Sequence, residues 1–208
     1  MSLTTIGTSD SIPERPFTDL DHTSHDLQVM QFMVTCLFLS MEKGRDSSGE
    51  GSPPWKFYHP TQVQWTYRIV ITQFKKLADP NPLTFVGFFG FQNTNADVLL
   101  AQSLDRELIS ELSQFDSILA YVSIRLPTGN FSNLVVFTSQ KGKEDWGRSE
   151  KHKEAIRILT PDYYSAVRLY NGELPDGIMN PETMRLKLVK YFDYKDQPTW
   201  RAVRPLDA

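Results

Sequence analysis

The chain has 208 residues, of which 40% are hydrophobic and 12% aromatic, so it is long enough to bury a core of its own. Its formal net charge is −3, and its sequence pI is about 5.8. These values give no electrostatic reason to expect a nucleic acid or an anionic membrane surface as a partner. We therefore expect one globular unit with extensions that binds neither nucleic acid nor membrane.

Cys36 is the single cysteine of the chain. It excludes an intrachain disulfide and favours a cytoplasmic protein with a buried, unreactive thiol. The apolar run around it, 27–41, is shorter than the roughly 20 residues that a membrane-spanning helix needs. An acidic, histidine-containing stretch precedes this run, so the sequence predicts neither a signal peptide nor a membrane anchor.

Composition and hydrophobic period divide the chain into four segments. Residues 1–26 are rich in Ser, Thr, Pro and Asp, which predicts a tail or an arm held against the rest of the protein. Residues 27–82 form an N-terminal extension, in which the apolar spacing of 27–41 predicts a helix, with a strand as the alternative. A core unit over 83–172 and a C-terminal extension over 173–208 follow.

The stretch 63–77 of the N-terminal extension fits two patterns, a helical stripe and a strand alternation. We expect a helix here, because Lys75 and Lys76 suit the negative end of a helix and because the Asp-Pro-Asn-Pro sequence at 79–82 would end it.

In the core unit, the hydrophobic period changes between strand and helix in the order strand, helix, strand, strand, helix, strand. This is the order of the ferredoxin-like βαββαβ unit, so we expect an α+β fold with an N-terminal helical extension. Gly87 and Gly90 in the first strand either allow close packing or leave room beside the sheet. Asn171 and Gly172 should end the last strand, and the strand-like C-terminal extension should join a sheet edge or reach a second subunit. The predicted strands are 83–91, 118–126, 131–138 and 163–170, and the last helix is 144–159.

Polar residues on these strands are candidate ligand contacts. Tyr121, Ser123 and Arg125 share one side of an alternating strand, and Tyr164 and Arg168 repeat this polar character on the last strand. They are suited to an anionic or phenolic ligand, and exposure at a sheet edge or a polar dimer contact is the alternative.

His152 points with the apolar face of the last helix, towards the sheet. It is either a structural or partly exposed histidine, or it lines a pocket in which it would carry a proton or bind a metal. His22 and His25 supply too few ligands without a residue from elsewhere, so we predict no metal site.

Two stretches carry a resemblance to a known family. The sequence WGRSEKH at 146–152 and the strand YYSAVRL at 163–169, in this order of elements, resemble the dimeric α+β barrel superfamily. That superfamily includes antibiotic-biosynthesis-monooxygenase-like and stress-responsive barrel proteins. The resemblance implies a homodimer, in which two βαββαβ units share a barrel and a ligand lies between sheet and helices.

The resemblance also implies candidate site residues. Some members oxidise aromatic polyketides without a cofactor, and others degrade haem with an Asn, a Trp and a His. Carried over to this chain, Trp146 and His152 are the candidate catalytic residues, and Asn93 is a candidate ligand-binding residue. The cofactor is left unknown.

The sequence thus supports three functions. The first is binding of a small hydrophobic or aromatic ligand between sheet and helices, with monooxygenase-like activity as a further expectation. The alternatives are a non-catalytic structural or protein-interaction module and a haem-binding protein. An open cavity at His152, Trp146 and the tyrosines would distinguish a ligand binder from a packed module. The common NTPase, zincin and hydrolase motifs are absent from the sequence.

Overall fold

The computed structural model describes residues 3–46, 55–60, 66–94, 96–160 and 162–206. In these residues one sheet of nine strands is accompanied by five α-helices and by short 3-10 helices at Pro16–Thr18 and Pro181–Thr183. The strands are β1 (Thr4–Thr5), β2 (Trp55–Pro60), β3 (Thr66–Ile71), β4 (Leu83–Gln92), β5 (Ile118–Arg125), β6 (Phe131–Phe137), β7 (Tyr164–Leu174), β8 (Arg185–Asp193) and β9 (Trp200–Pro205). The helices are α1 (Leu20–Asp46), α2 (Phe74–Ala78), α3 (Val98–Leu112), α4 (Gln140–Gly147) and α5 (Glu150–Leu159).

The strands are arranged in the order β1-β9-β8-β7-β4-β6-β5-β3-β2. Neighbouring strands are antiparallel, except that β1 lies parallel to β9. The four central strands, β7-β4-β6-β5, are those predicted for the core unit. The chain is therefore an α+β protein.

Helix α1 covers one side of this sheet, which we call the α1 side. Its apolar positions recur at three- and four-residue spacing and pack with the inward residues of the strands in the largest hydrophobic cluster. Gly87 is needed for this contact, because a Cβ atom on it would collide with the Met30 sulfur. The predicted helix over 27–41 is confirmed, and it extends in both directions. Its buried positions are Val29, Met30, Met33, Val34, Cys36, Leu37 and Met41.

Helices α3, α4 and α5 lie on the other side, which we call the α3–α5 side. Two smaller clusters of buried residues fill this side, one around Trp146 and one around Tyr163 and Tyr164. The expected single last helix, 144–159, is in fact two helices. Gly147 ends α4 and Ser149 caps α5, because glycine is a poor helix residue and the serine hydroxyl accepts from the backbone N–H of His152 at 3.2 Å.

The expectation of a helix over 63–77 is wrong for 66–71 and is confirmed only for its last residues, 74–77. Thr66–Ile71 is the strand β3, and the short helix α2 holds only Phe74–Ala78; residues 61–65 lie outside the described residues. The strand forms because both sides of the sheet are covered here. Ile69 and Ile71 are buried on the α1 side and Val70 is buried on the α3–α5 side. The N-terminal extension is therefore only partly helical.

The described residues near both termini are attached to the sheet. The expected N-terminal segment, 1–26, includes an arm whose strand β1 pairs with β9, and α1 already begins at Leu20. The C-terminal extension supplies β8 and β9, which confirms the alternative that it joins a sheet edge. The expected strand end at 171–172 is wrong, since β7 continues to Leu174 through a register shift between Asn171 and Gly172. Within the described residues, no helix is both long and apolar enough to cross a bilayer.

Candidate ligand-binding site

A row of polar side chains crosses the sheet on its α3–α5 side. Arg68 of β3 stands opposite Ser123 of β5, and Ser123 stands opposite Asn133 of β6. All three are placed on this side by the alternation of their strands, because their neighbours in sequence, such as Ile69, Val122 and Leu134, belong to the cluster on the α1 side. The row therefore faces α3, with apolar residues to either side of it.

Helix α3 completes this row with a carboxylate. Arg68 donates from Nη2 to Oδ2 of Asp105 at 2.5 Å, and the Tyr121 hydroxyl donates to Oδ1 of the same carboxylate at 3.0 Å. The Arg68 guanidinium also lies 5.7 Å from the centre of the Tyr121 ring. Burial raises the pKa of Tyr121, and the Asp105 charge raises it further. Tyr121 is thus a neutral hydrogen-bond donor near neutral pH.

Two further tyrosines border the row. The rings of Tyr163 and Tyr164 meet edge to face at 4.7 Å, and Tyr164 meets Phe88 in the same way at 5.1 Å. Gly90 makes room for this packing, since a Cβ atom there would collide with the Tyr164 ring. Of the two interpretations of Gly87 and Gly90, close packing is therefore confirmed.

Two of the expected contact residues lie beside these tyrosines. Arg125 is exposed, with its guanidinium 5.9 Å from the Phe131 ring centre, and its charge acts to lower the pKa of Tyr163, which burial raises. Asn93 donates from Nδ2 to the Asp162 carbonyl at 3.1 Å, and its backbone N–H donates to the Tyr163 carbonyl at 2.8 Å. Asn93 therefore ties the loop before α3 to the start of β7.

Arg168 is separated from the other expected contact residues. It lies on the α1 side and forms a two-fold ion pair with Asp26 of α1, at 2.7 Å from Nε and 3.0 Å from Nη2. The β4–β7 ladder shifts register between Phe91 and Gln92, opposite Ala166 and Tyr164. In a regular strand, residues four positions apart lie on the same side of the sheet. This irregularity instead places Tyr164 and Arg168 on different sides.

Trp146 and His152 are brought together, as the resemblance implies. Their rings stack at 4.9 Å with an interplanar angle of 18°, and Phe115 meets the Trp146 ring edge to face at 5.1 Å. Ser149 donates to the buried Glu111 carboxylate at 3.1 Å. Burial lowers the pKa of His152, and interaction with the Trp146 backbone and the Glu111 charge acts against this shift. The pair is part of a packed cluster, and its catalytic role stays a prediction.

Two clefts of the described residues lie elsewhere. One of about 240 Å³ is bordered by Phe38, Met41, Leu77, Ile178 and Met179 among others. One of about 70 Å³ lies between α3 and α5, next to Leu108 and Lys151. Neither is lined by the expected site residues.

The surroundings of His152 do not fit a haem. Trp146 covers one face of the imidazole, and His152 lines neither of these two clefts, so a haem at this position would require the cluster to open. Among the residues that the structure describes, no group of three His, Cys, Asp or Glu side chains is placed to hold a metal ion.

Sequence reasoning missed Arg68, Asp105 and Asn133 as members of this site. Arg68 was not identified because 63–77 was interpreted as a helix, and only a strand places Arg68 opposite Ser123. Asp105 is a polar residue on an amphipathic helix, and nothing in its sequence neighbourhood separates it from a solvated one. The alternation of β6 is the one signal that would have placed Asn133 on the α3–α5 side.

Comparison of this chain with known proteins gives matches only among solved structures. No family model matches it, and no curated protein matches it. Among solved structures, two crystal structures of SnoaB, a cofactor-independent oxygenase from Streptomyces nogalater, are similar to part of it. A mutant form of SnoaB has a TM-score of 0.35 and 10% sequence identity, and a second structure of SnoaB has a TM-score of 0.34 and 13% identity. Each similarity covers 45% of this chain and 91% of SnoaB. At this level, the function has to be argued from the chain's own residues.

Proposed function

We propose that the chain binds a small phenolic or other aromatic ligand on the α3–α5 side of the sheet, between the polar row and α3. The single observation that supports this most strongly is the amide oxygen of Asn133. This atom is out of contact with solvent and has no hydrogen-bond partner among the described residues. An acceptor buried without a donor is costly, and a phenol hydroxyl is the donor that it lacks.

The neighbouring groups supply the remaining chemistry. The hydroxyl of Tyr163 is also buried without a hydrogen-bond partner among the described residues. Tyr164 and Phe88 offer aromatic edges and faces to a flat ring. The Arg68–Asp105 pair is electrically balanced, so the row favours a ligand that is polar at one edge and apolar elsewhere.

Access to this row passes through the start of α3. Val98, Leu99 and Leu100 are exposed, and the first buried residue of the described part of the helix is Leu104. The first turns of α3 are therefore held by few apolar contacts and can lift at low cost, while Ile109 and Leu112 keep the second half in place.

The binding test uses 1-naphthol as the probe and the full chain. Asn133→Leu keeps a side chain of similar size but removes the acceptor. We expect the affinity for 1-naphthol to fall about tenfold, because one hydrogen bond to the ligand is lost. Ser132→Ala is the matched control, because Ser132 directly precedes Asn133, lies on the other side of the strand and donates from its hydroxyl to the Phe88 carbonyl at 3.0 Å. Amide chemical shifts followed by NMR would give both affinities. Equal affinities for the two variants would contradict the proposed site.

Monooxygenase-like activity, which the resemblance implies, belongs to the same proposal. It would act on the aromatic ligand held in this row. Oxygen uptake with 1-naphthol, measured for the wild type and for Asn133→Leu, tests it. Uptake that depends on Asn133 would support the activity, and binding without uptake would reduce the function to ligand binding.

A second candidate, a non-catalytic structural or interaction module, is favoured by one observation. The expected catalytic residues pack with Phe115, Glu111 and Ser149, and they line neither of the two clefts described above. This is the arrangement that a packed module needs. Failure of 1-naphthol to bind, with no oxygen uptake, is the result that this candidate predicts.

The homodimer that the resemblance implies would have to form without displacing α1. The side of the sheet opposite α3–α5 is buried under α1, so a barrel shared by two copies across that side would require α1 to leave. We therefore propose a dimer that keeps α1 in place. Native mass spectrometry of the full chain tests this, and a monomer at micromolar concentration would contradict it.

A further inference from the structure

A second polar site lies on the α3–α5 side of the sheet, close to α4. Lys143 of α4 donates from Nζ to the Asn171 side-chain oxygen on β7 at 2.7 Å. Asn171 is only 8% exposed and continues with a bond of 3.4 Å from Nδ2 to the Leu169 carbonyl. A lysine ammonium is thus held over a buried amide and not over a carboxylate.

Lys190 of β8 joins Lys143 at this position. It stands opposite Leu169, and its neighbours Val189 and Tyr191 are buried on the α1 side, so its own side chain lies on the α3–α5 side of the sheet, as α4 does. Burial lowers the pKa of Lys143, and the charge of Lys190 lowers it further, whereas Glu144 acts in the opposite direction. The two ammonium groups therefore repel each other.

A lysine–carboxylate pair on β7 and β8 shows the kind of partner that Lys143 and Lys190 lack. Lys187 of β8 lies 2.5 Å from the carboxylate of Glu173 on β7, and this pair is electrically balanced. In the part of the chain that the structure describes, no carboxylate lies within salt-bridge distance of Lys143 or Lys190. The ammonium groups of Lys143 and Lys190 therefore lack the direct ion pair that Lys187 forms with Glu173.

We propose that Lys143 and Lys190 together bind a small oxyanion of the phosphate or carboxylate type, next to the amide of Asn171. Two ammonium groups on different elements can each donate a charge-assisted hydrogen bond to one oxyanion. Binding removes the repulsion between them. The half-buried Phe192, with the Arg201 guanidinium 5.9 Å from its ring centre, lies on the same side two residues from Lys190 and offers a surface for the rest of a larger anionic molecule. This site is separate from the polar row and does not depend on it.

The test follows the side chains themselves in the full chain, with lysines labelled with ¹³C at Cε. Sodium phosphate and, separately, sodium acetate are added at constant ionic strength. We expect the signals of Lys143 and Lys190 to shift in a saturable way with at least one of the two anions, and the anion that saturates identifies the class. The Lys187 signal should stay in place.

Matched variants separate binding from general charge effects. Lys190→Gln, at an exposed position that should not disturb folding, should weaken the anion about tenfold, the ratio of one charge-assisted hydrogen bond. Lys187→Gln, which removes the same charge from the balanced pair, should leave the affinity unchanged. The proposal is overturned if neither anion gives a saturable shift, or if both variants change the affinity equally.

Discussion

Arg168 and Arg68 lie on opposite sides of one sheet, and each binds an aspartate supplied by a helix, yet their surroundings differ. The side chains of Arg168 and Asp26 are 5% and 1% exposed, whereas those of Arg68 and Asp105 are 19% and 32% exposed. The first pair fixes α1 and the arm to the sheet, and Arg168 also reaches the Phe17 carbonyl at 3.3 Å. The second pair lies in a layer closed by the thinly packed start of α3. The pair on the α1 side is therefore the more deeply buried of the two, and the more exposed pair lies on the α3–α5 side, where we propose that a ligand binds.

The largest effect should come from breaking the buried pair. Asp26→Asn keeps the size of the side chain but leaves the Arg168 charge buried without a carboxylate. We expect the free energy of unfolding to fall by about 3–5 kcal/mol. Urea denaturation measures it. Glu173→Gln, which breaks the half-exposed pair with Lys187, is the control and should cost less than about 1 kcal/mol. Similar losses for both would contradict the division between the two sides.

Breaking the pair on the α3–α5 side should have a smaller effect on stability. Asp105→Asn weakens the bond from Arg68 and removes the charge next to Tyr121, and we expect a loss of about 1 kcal/mol because the pair is partly exposed. The pKa of Tyr121 should fall towards its ordinary value, since the Asp105 charge is one of the causes that raise it. NMR of ¹³C-labelled tyrosine side chains follows this titration. An unchanged Tyr121 pKa would remove the electrostatic link between α3 and the polar row.

The smallest effect should come from titration of His152. Because the pKa of His152 is lowered in the folded protein, the unfolded chain binds its proton first as the pH falls. The stabilising contribution of the neutral imidazole is therefore complete above the ordinary pKa of 6.5 and is lost as the pH falls below it. Urea denaturation between about pH 8 and about pH 5 should show this dependence in the wild type and a weaker one in His152→Gln. Identical slopes would mean that His152 is not buried as a neutral group.

The sequence allowed the central strands and α1 to be predicted, because their hydrophobic periods are long and consistent. The stretch 63–77 was ambiguous because Tyr67 fits both a helical stripe with Val70 and a strand alternation with Ile69. The choice between them depends on what covers β3 in space. Of the site, the side on which Tyr121 lies followed from alternation alone. Asp105 and Asp26 could not be predicted as partners, since each comes from a helix far away in sequence. The burial of Arg168 could not be predicted either, because the pattern of its strand contains no signal for the ion pair with Asp26 of α1.

Nuclear Overhauser effects between 1-naphthol and the full chain would show where the ligand binds. Bound in the polar row, the ring protons of the probe should show contacts to the side chains of Tyr121, Tyr163 and Tyr164. Contacts confined to the exposed Val98, Leu99 and Leu100 of α3, or no contacts at all, would contradict a ligand site between α3 and the sheet.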